Sequence, residues 1–171
     1  MAGQKLVLGL AMAGIIVIGI WVPGSVPQAA AETLNFRSFT HYTKMERVPV
    51  ADVEGHFVGV FVREGVQILE NGGMAWVKVT GVSDLIKGAG TFDLYGITTF
   101  QDGSTITTRM KGTLGTTPLP PPPAEITLGT GRFQGIKGTL TASTKTLPPE
   151  KGELGPKVIT EGTLVYALPG K

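Results

Sequence analysis

The most constraining feature of this chain is its punctuation. Runs rich in Thr, Val and Ile are broken at close intervals by Gly, Asn-Gly, Asp-Gly or Pro clusters. No window after residue 31 sustains a helical period with caps. β-Branched residues fit a pleated surface, and glycines mark turns, bulges and close backbone approach. The 140 residues from 32 onward hold 21 Thr and 20 Gly, about twice the usual share of Gly. Short strands with turn signals between them point to an all-β sandwich or barrel.

Eight strands are predicted. They lie near Leu34–Val48, His56–Glu70, Gly73–Gly81, Ala89–Gln101, Ser104–Leu114, Ala124–Thr130, Gly138–Thr146 and Val158–Leu168. Gly65 reads as a bulge in the second. Asn71-Gly72 and Asp102-Gly103 read as tight hairpin turns. Pro118–Pro123 and Pro148–Pro156 are loops, because Pro lacks the donor a ladder needs. Eight antiparallel strands in sequence favour an up-and-down β-barrel, which removes exposed edges by closing. A two-sheet sandwich is the alternative. An eight-stranded barrel is wide enough to be filled by side chains or to hold one small ligand.

Residues 1–31 read as a secretory signal peptide ahead of one barrel domain, 32–171. Lys5 supplies the positive start, Leu6 to Val22 is an uninterrupted apolar run of 17 residues, and Ala29-Ala30-Ala31 fits cleavage before Glu32. A secreted or periplasmic protein with no stable membrane anchor after cleavage is expected. A chain of 140 residues can bury a core without staples. The formal net charge of +2 gives no electrostatic case for nucleic acid.

The chain has no Cys and two His, His41 and His56. That excludes disulfides, thiolate metal sites and a Cys nucleophile, and leaves no basis for a multi-His metal centre. No cofactor is expected. After residue 31 the only serines are Ser38, Ser83, Ser104 and Ser143, none in a Gly-x-Ser-x-Gly elbow. Gly129-Thr130-Gly131-Arg132-Phe133-Gln134-Gly135 lacks the dinucleotide-binding spacing and is followed by no long helix.

A two-residue Asp102-Gly103 turn would pair Thr99 with Ile106 and Tyr95 with Met110. One face of the fourth and fifth strands then carries Asp93, Tyr95, Ile97, Thr99, Ile106, Thr108 and Met110. The other carries Phe92, Leu94, Thr98, Phe100, Thr105, Thr107, Arg109 and Lys111. The two cations assign the second face outward. Phe92, Leu94 and Phe100 would then need cover, which a homo-oligomer (dimer or trimer) would provide. In a hollow barrel Trp76, Ile97, Thr108 and Met110 are the expected ligand contacts; in a filled one they are core. Asp93 reads either as a rim carboxylate or as an acid–base group with a raised pKa. Tyr95 is either a packed ring or a catalytic phenol. His41, on the first strand, and Glu161, on the last, complete the candidate catalytic set, with structural or solvated roles as the alternative.

Two stretches resemble a known superfamily. One is Gly129 through Gly138, a strand end, a Gly-rich crossing and the next strand. The other runs from Gly90-Thr91-Phe92 to Phe100-Gln101-Asp102-Gly103-Ser104-Thr105-Ile106. Together they resemble the allene oxide cyclase-like barrels, a superfamily that includes the plant dirigent proteins. The resemblance covers most of residues 40–168 as a strand pattern. It implies an eight-stranded antiparallel barrel with an apolar cavity, cofactor-free steering of reactive hydrophobic intermediates, and in many members a trimer. Allene oxide cyclases use an acidic residue in the first strand. Matching Glu46-Arg47 to a similar pair in those enzymes puts Thr43 at that position, which argues against allene oxide cyclase activity. The dirigent catalytic set matches no specific positions here.

Three functions stay open on the sequence. The first is an exported barrel that binds a small apolar molecule and guides its cyclisation or isomerisation. The second is a non-catalytic carrier, lipocalin-like in logic. The third is an interaction domain with a filled barrel and an outer apolar stripe.

Overall fold

The computed structural model describes residues 30–115 and 121–170. The apolar run and most of the expected leader lie outside these residues. Eight strands follow in chain order: β1 (Glu32–Pro49), β2 (His56–Leu69), β3 (Met74–Ile86), β4 (Ala89–Phe100), β5 (Thr105–Leu114), β6 (Ala124–Gly129), β7 (Lys137–Leu147) and β8 (Lys157–Ala167). Each pairs antiparallel with the next, and β8 pairs with β1, so the sheet closes into a barrel without an open edge. This is the expected up-and-down barrel rather than the sandwich. A 3-10 turn at Gly131–Phe133 occupies the Gly-rich crossing.

The hairpin signals work with one more residue than the sequence reading assumed. In the β2–β3 turn, Gly72 N–H donates to Leu69 O and Leu69 N–H to Gly73 O. In the β4–β5 turn, Gly103 N–H donates to Phe100 O and Phe100 N–H to Ser104 O. Both are three-residue loops whose last residue is a left-handed glycine, Gly72 at φ 81° and Gly103 at φ 79°. The preceding Asn71 and Asp102 each accept the N–H two residues ahead, both at 3.0 Å.

That extra residue corrects the predicted register. Thr98, not Thr99, pairs with Ile106, and Leu94, not Tyr95, pairs with Met110. A slip of one residue moves every side chain of one strand to the opposite face. β5 keeps its expected orientation, with Ile106, Thr108 and Met110 inward. β4 is inverted: Phe92, Leu94, Thr98 and Phe100 line the interior. Asp93, Tyr95 and Ile97 therefore stand outside, and Phe92, Leu94 and Phe100 need no partner subunit to cover them. The bulge expected at Gly65 is also displaced. Gly65 pairs regularly with Thr40, and the irregularity sits on β1 between Tyr42 and Lys44. Gly65 serves close approach instead, since a Cβ there would lie 1.9 Å from Phe39 O.

One end of the barrel is packed shut. Leu69, Ala75, Phe100, Ile106, Phe133, Ile136, Leu164, Tyr166 and Leu168 form the buried core, with Phe133 5% exposed. The Phe133 ring lies 4.7 Å from Phe100 and 6.1 Å, edge-on, from Tyr166. The Gly-rich crossing thus delivers the plug of the barrel floor. At the opposite end the β1–β2 loop meets the β3–β4 turn. There His56 is bonded to Asp52 at 2.6 Å through Nδ1 and to Asp84 at 2.8 Å through Nε2.

Candidate functional site

Above the floor the interior is hollow. A cavity of about 520 Å³ runs toward the other end of the barrel, where Met45, Phe57, Leu114 and Pro121 surround it. Its walls are built by alternation: every second residue of a strand points in. β2 contributes Phe57, Phe61, Arg63 and Gln67; β3 contributes Val77, Val79, Ser83 and Leu85. On the neighbouring strands β4 and β5, Leu94 lies beside Met110, and Phe92 and Thr108 line the same stretch of wall. A Cβ on Gly81 would come within 2.2 Å of the Phe61 ring, so the missing side chain lets that ring lie against β3.

The polar content of the lining is small and mostly hydroxyl. Thr40 is buried and directs its Oγ1 at Val158 O, and Ser38 and Gln67 are buried beside it. The charged exception in the middle of the wall is Arg63. It is packed near the rings of Tyr42 (5.8 Å) and Phe61 (5.6 Å). Its Nε is shut off from solvent and has no hydrogen-bond partner among the described residues. Burial draws the guanidinium's pKa below its ordinary value, and the Tyr42 hydroxyl pulls the other way. An arginine remains charged at neutral pH in spite of such a shift.

Of the eight residues singled out from sequence, Thr108 and Met110 line the cavity. The other six stand on the outer wall. Trp76 is 67% exposed, with Ala75 and Val77 taking the inward positions on β3. Tyr95 and Ile97 are exposed beside Thr80 and Lys78 of the neighbouring strand. His41 alternates outward between Thr40 and Tyr42 and sits opposite Glu64. Glu161 pairs with Arg37 at 2.6 Å in water. Asp93 is held by Arg109 in a two-point contact, at 3.0 and 2.6 Å, with Lys111 at 3.7 Å. The Arg109 hydrogen bonds lower its pKa, the reverse of the raised value that an inward acid would have. The cations that correctly marked the outer face of β5 thus draw Asp93 out with them.

The structure brings together residues that the sequence reading passed over: Tyr42, Phe61, Arg63, Leu94 and Gln67. The signal was present in β2, but masked. Its inward positions mix Phe, Gly, Arg, Gln and Leu, whereas its outward positions include Val58, Val62, Val66 and Ile68 beside Glu64. The more uniformly apolar face is the outer one, so a face assignment by hydrophobicity alone selects the wrong side. Among the described residues, no group of three or more His, Cys, Asp or Glu side chains is arranged to hold a metal ion.

No protein family matches the chain by sequence, and no curated protein is similar to it. Solved structures do match its shape. The chain is similar to the pterocarpan synthase dirigent protein GePTS1, with a TM-score of 0.52 and 14% identity over 82% of this chain and 93% of that one. It is similar to the pterocarpan synthase dirigent protein PsPTS1, with a TM-score of 0.51 and 16% identity over 84% of this chain and 99% of that one. At that identity the likeness is one of fold: this chain is a closed eight-stranded antiparallel barrel, and those two structures are similar to it in shape.

Proposed function

We propose that this protein is an exported barrel that binds a small hydrophobic molecule in its lumen and directs that molecule's reaction by confinement. The observation that carries the reading is the apolar cavity of about 520 Å³ inside a closed sheet. Small-molecule sites are concave and mostly apolar, with a few placed polar groups, and fall in this size range. The dirigent-type fold of the neighbouring structures supports the same reading by analogy. Holding a reactive intermediate in one conformation lowers a barrier without a cofactor. Tyr42 and Arg63 supply the polar groups that such a step would use, since the candidate set Asp93, Tyr95, His41 and Glu161 faces outward. The hollow interior disfavours the filled interaction barrel.

Titration of the purified protein with the neutral fluorophore N-phenyl-1-naphthylamine tests the reading. Saturable binding at one site per chain is expected, and Leu94→Trp, which fills the lumen, abolishes it. Absence of saturable binding to the unmodified protein overturns the proposal. Turnover of the native ligand then separates a directing enzyme from a carrier, which returns the ligand unchanged.

A further inference from the structure

Three charged side chains line the cavity: Glu46 and Arg47 on the stretch of β1 that leads into the β1–β2 loop, where Arg47 lies 4.8 Å over the Phe57 ring, and Arg63 in the middle of the wall. Arg63 lies mid-strand on β2, between Tyr42 of β1 and Val79 of β3, and its side chain points into the cavity. Among the described residues no carboxylate lies within ion-pair distance of it, whereas Arg37, Arg109 and Arg132 on the outer surface pair with Glu161, Asp93 and Asp102. Glu46, also at the cavity wall, is engaged by Lys44 at 3.1 Å. The Tyr42 and Phe61 rings stabilise the positive charge, but a ring satisfies few of the five N–H donors of a guanidinium. Burying a charge away from water is costly unless a counter-charge and hydrogen bonds offset it. Among the described residues, Nε of Arg63 has no partner to offset its loss of water.

We infer that the lumen selects a hydrophobic molecule bearing a carboxylate or similar oxyanion, with the anionic oxygens seated on Arg63 and the apolar body against Phe61, Leu94 and Met110. This rests on the ligand-binding reading above and names its ligand class. The guanidinium fork matches a two-oxygen anion in shape as well as charge. A neutral isostere would fill the same volume and leave the fork unpaired.

The test uses displacement of N-phenyl-1-naphthylamine by 2-naphthoate and by the neutral isostere 2-naphthamide. The expected result is displacement by naphthoate at about tenfold lower concentration or less, as a charge-assisted hydrogen bond implies. In Arg63→Met that preference collapses to about one, while the fluorophore itself still binds; in Arg63→Lys, which keeps the charge but not the fork, part of it survives. Arg63→Met is also expected to melt no lower than the parent, because it removes an unpaired buried charge. Equal displacement by the two compounds in the parent, or a preference unchanged in Arg63→Met, overturns the inference while leaving the hydrophobic site intact. Failure of the fluorophore to bind the parent overturns the cavity reading and this inference with it. Should the Met variant not fold, the parent's preference and the Lys variant decide the matter alone.

Discussion

Phe133 and Trp76 give opposite answers to the same substitution, and the contrast tests the whole face assignment. Phe133 is 5% exposed and closes the barrel floor against Phe100 and Tyr166. Trp76 is larger, but 67% of it faces water. Truncating a buried Phe to Ala removes transfer energy and leaves a cavity, together about 3–5 kcal/mol. Collapse of the floor is resisted by the 3-10 turn, whose Phe133 N–H and C=O are tied to Thr130 and Ile136. We therefore take about 4 kcal/mol. That is a large part of a typical stability of about 5–15 kcal/mol. With a urea slope of about 2 kcal/mol/M, Phe133→Ala moves the unfolding midpoint down by about 2 M. Trp76→Ala changes stability by about 0.5 kcal/mol or less. Urea unfolding followed by far-UV circular dichroism reads both variants on purified protein. A loss below about 1.5 kcal/mol for Phe133→Ala, or a Trp76→Ala loss of comparable size, would refute the assignment of floor and outer wall.

Gly65→Ala should cost several kcal/mol or prevent folding, because its Cβ would sit 1.9 Å from Phe39 O and force β1 and β2 apart; a soluble variant with unchanged melting would refute the close approach. The His56 clamp should make stability depend on pH at both ends. Hydrogen bonds to Asp84 and then Asp52 raise the His56 pKa, so its contribution is full below 6.5 and fades as pH rises through the folded value. Asp52 is lowered, chiefly by its bond to His56, so its contribution is full above 3.8 and is lost as pH falls through its folded value. The stability difference between the parent and His56→Asn should thus be greatest between those two pH values, and a difference that grows above neutrality would count against the clamp. Tyr166 is pushed up to about 12 by burial and then by its bond to Glu32. Ultraviolet titration should show a late tyrosine step, which Tyr166→Phe removes; retention of the late step in that variant would show that another residue causes it.

The strand plan was legible in the sequence because it depends on local chemistry. Thr- and Val-rich runs, Asn71-Gly72, Asp102-Gly103 and the Pro clusters bounded all eight strands to within a few residues, except that β3 continues five residues further, to Ile86. The Lys87-Gly88 turn that ends it needs left-handed backbone at both positions, φ 51° and 86°, and lysine does not announce that. Closure of the barrel also followed, since consecutive antiparallel strands leave two edges that must be paired.

The inside and outside of the wall were a different matter. Alternation groups side chains into faces but does not say which face is which. On β4 the answer hung on whether the Asp102-Gly103 loop has two residues or three. On β2 it hung on which face the closed sheet turns inward: Phe57, Phe61, Arg63 and Gln67 line the lumen, and valines that look like core stand on the outer wall. The place of Arg63 in the lumen was invisible for the same reason. A sequence shows that Arg63 sits in a strand; only the closed sheet turns it into the lumen, with no carboxylate in reach among the described residues.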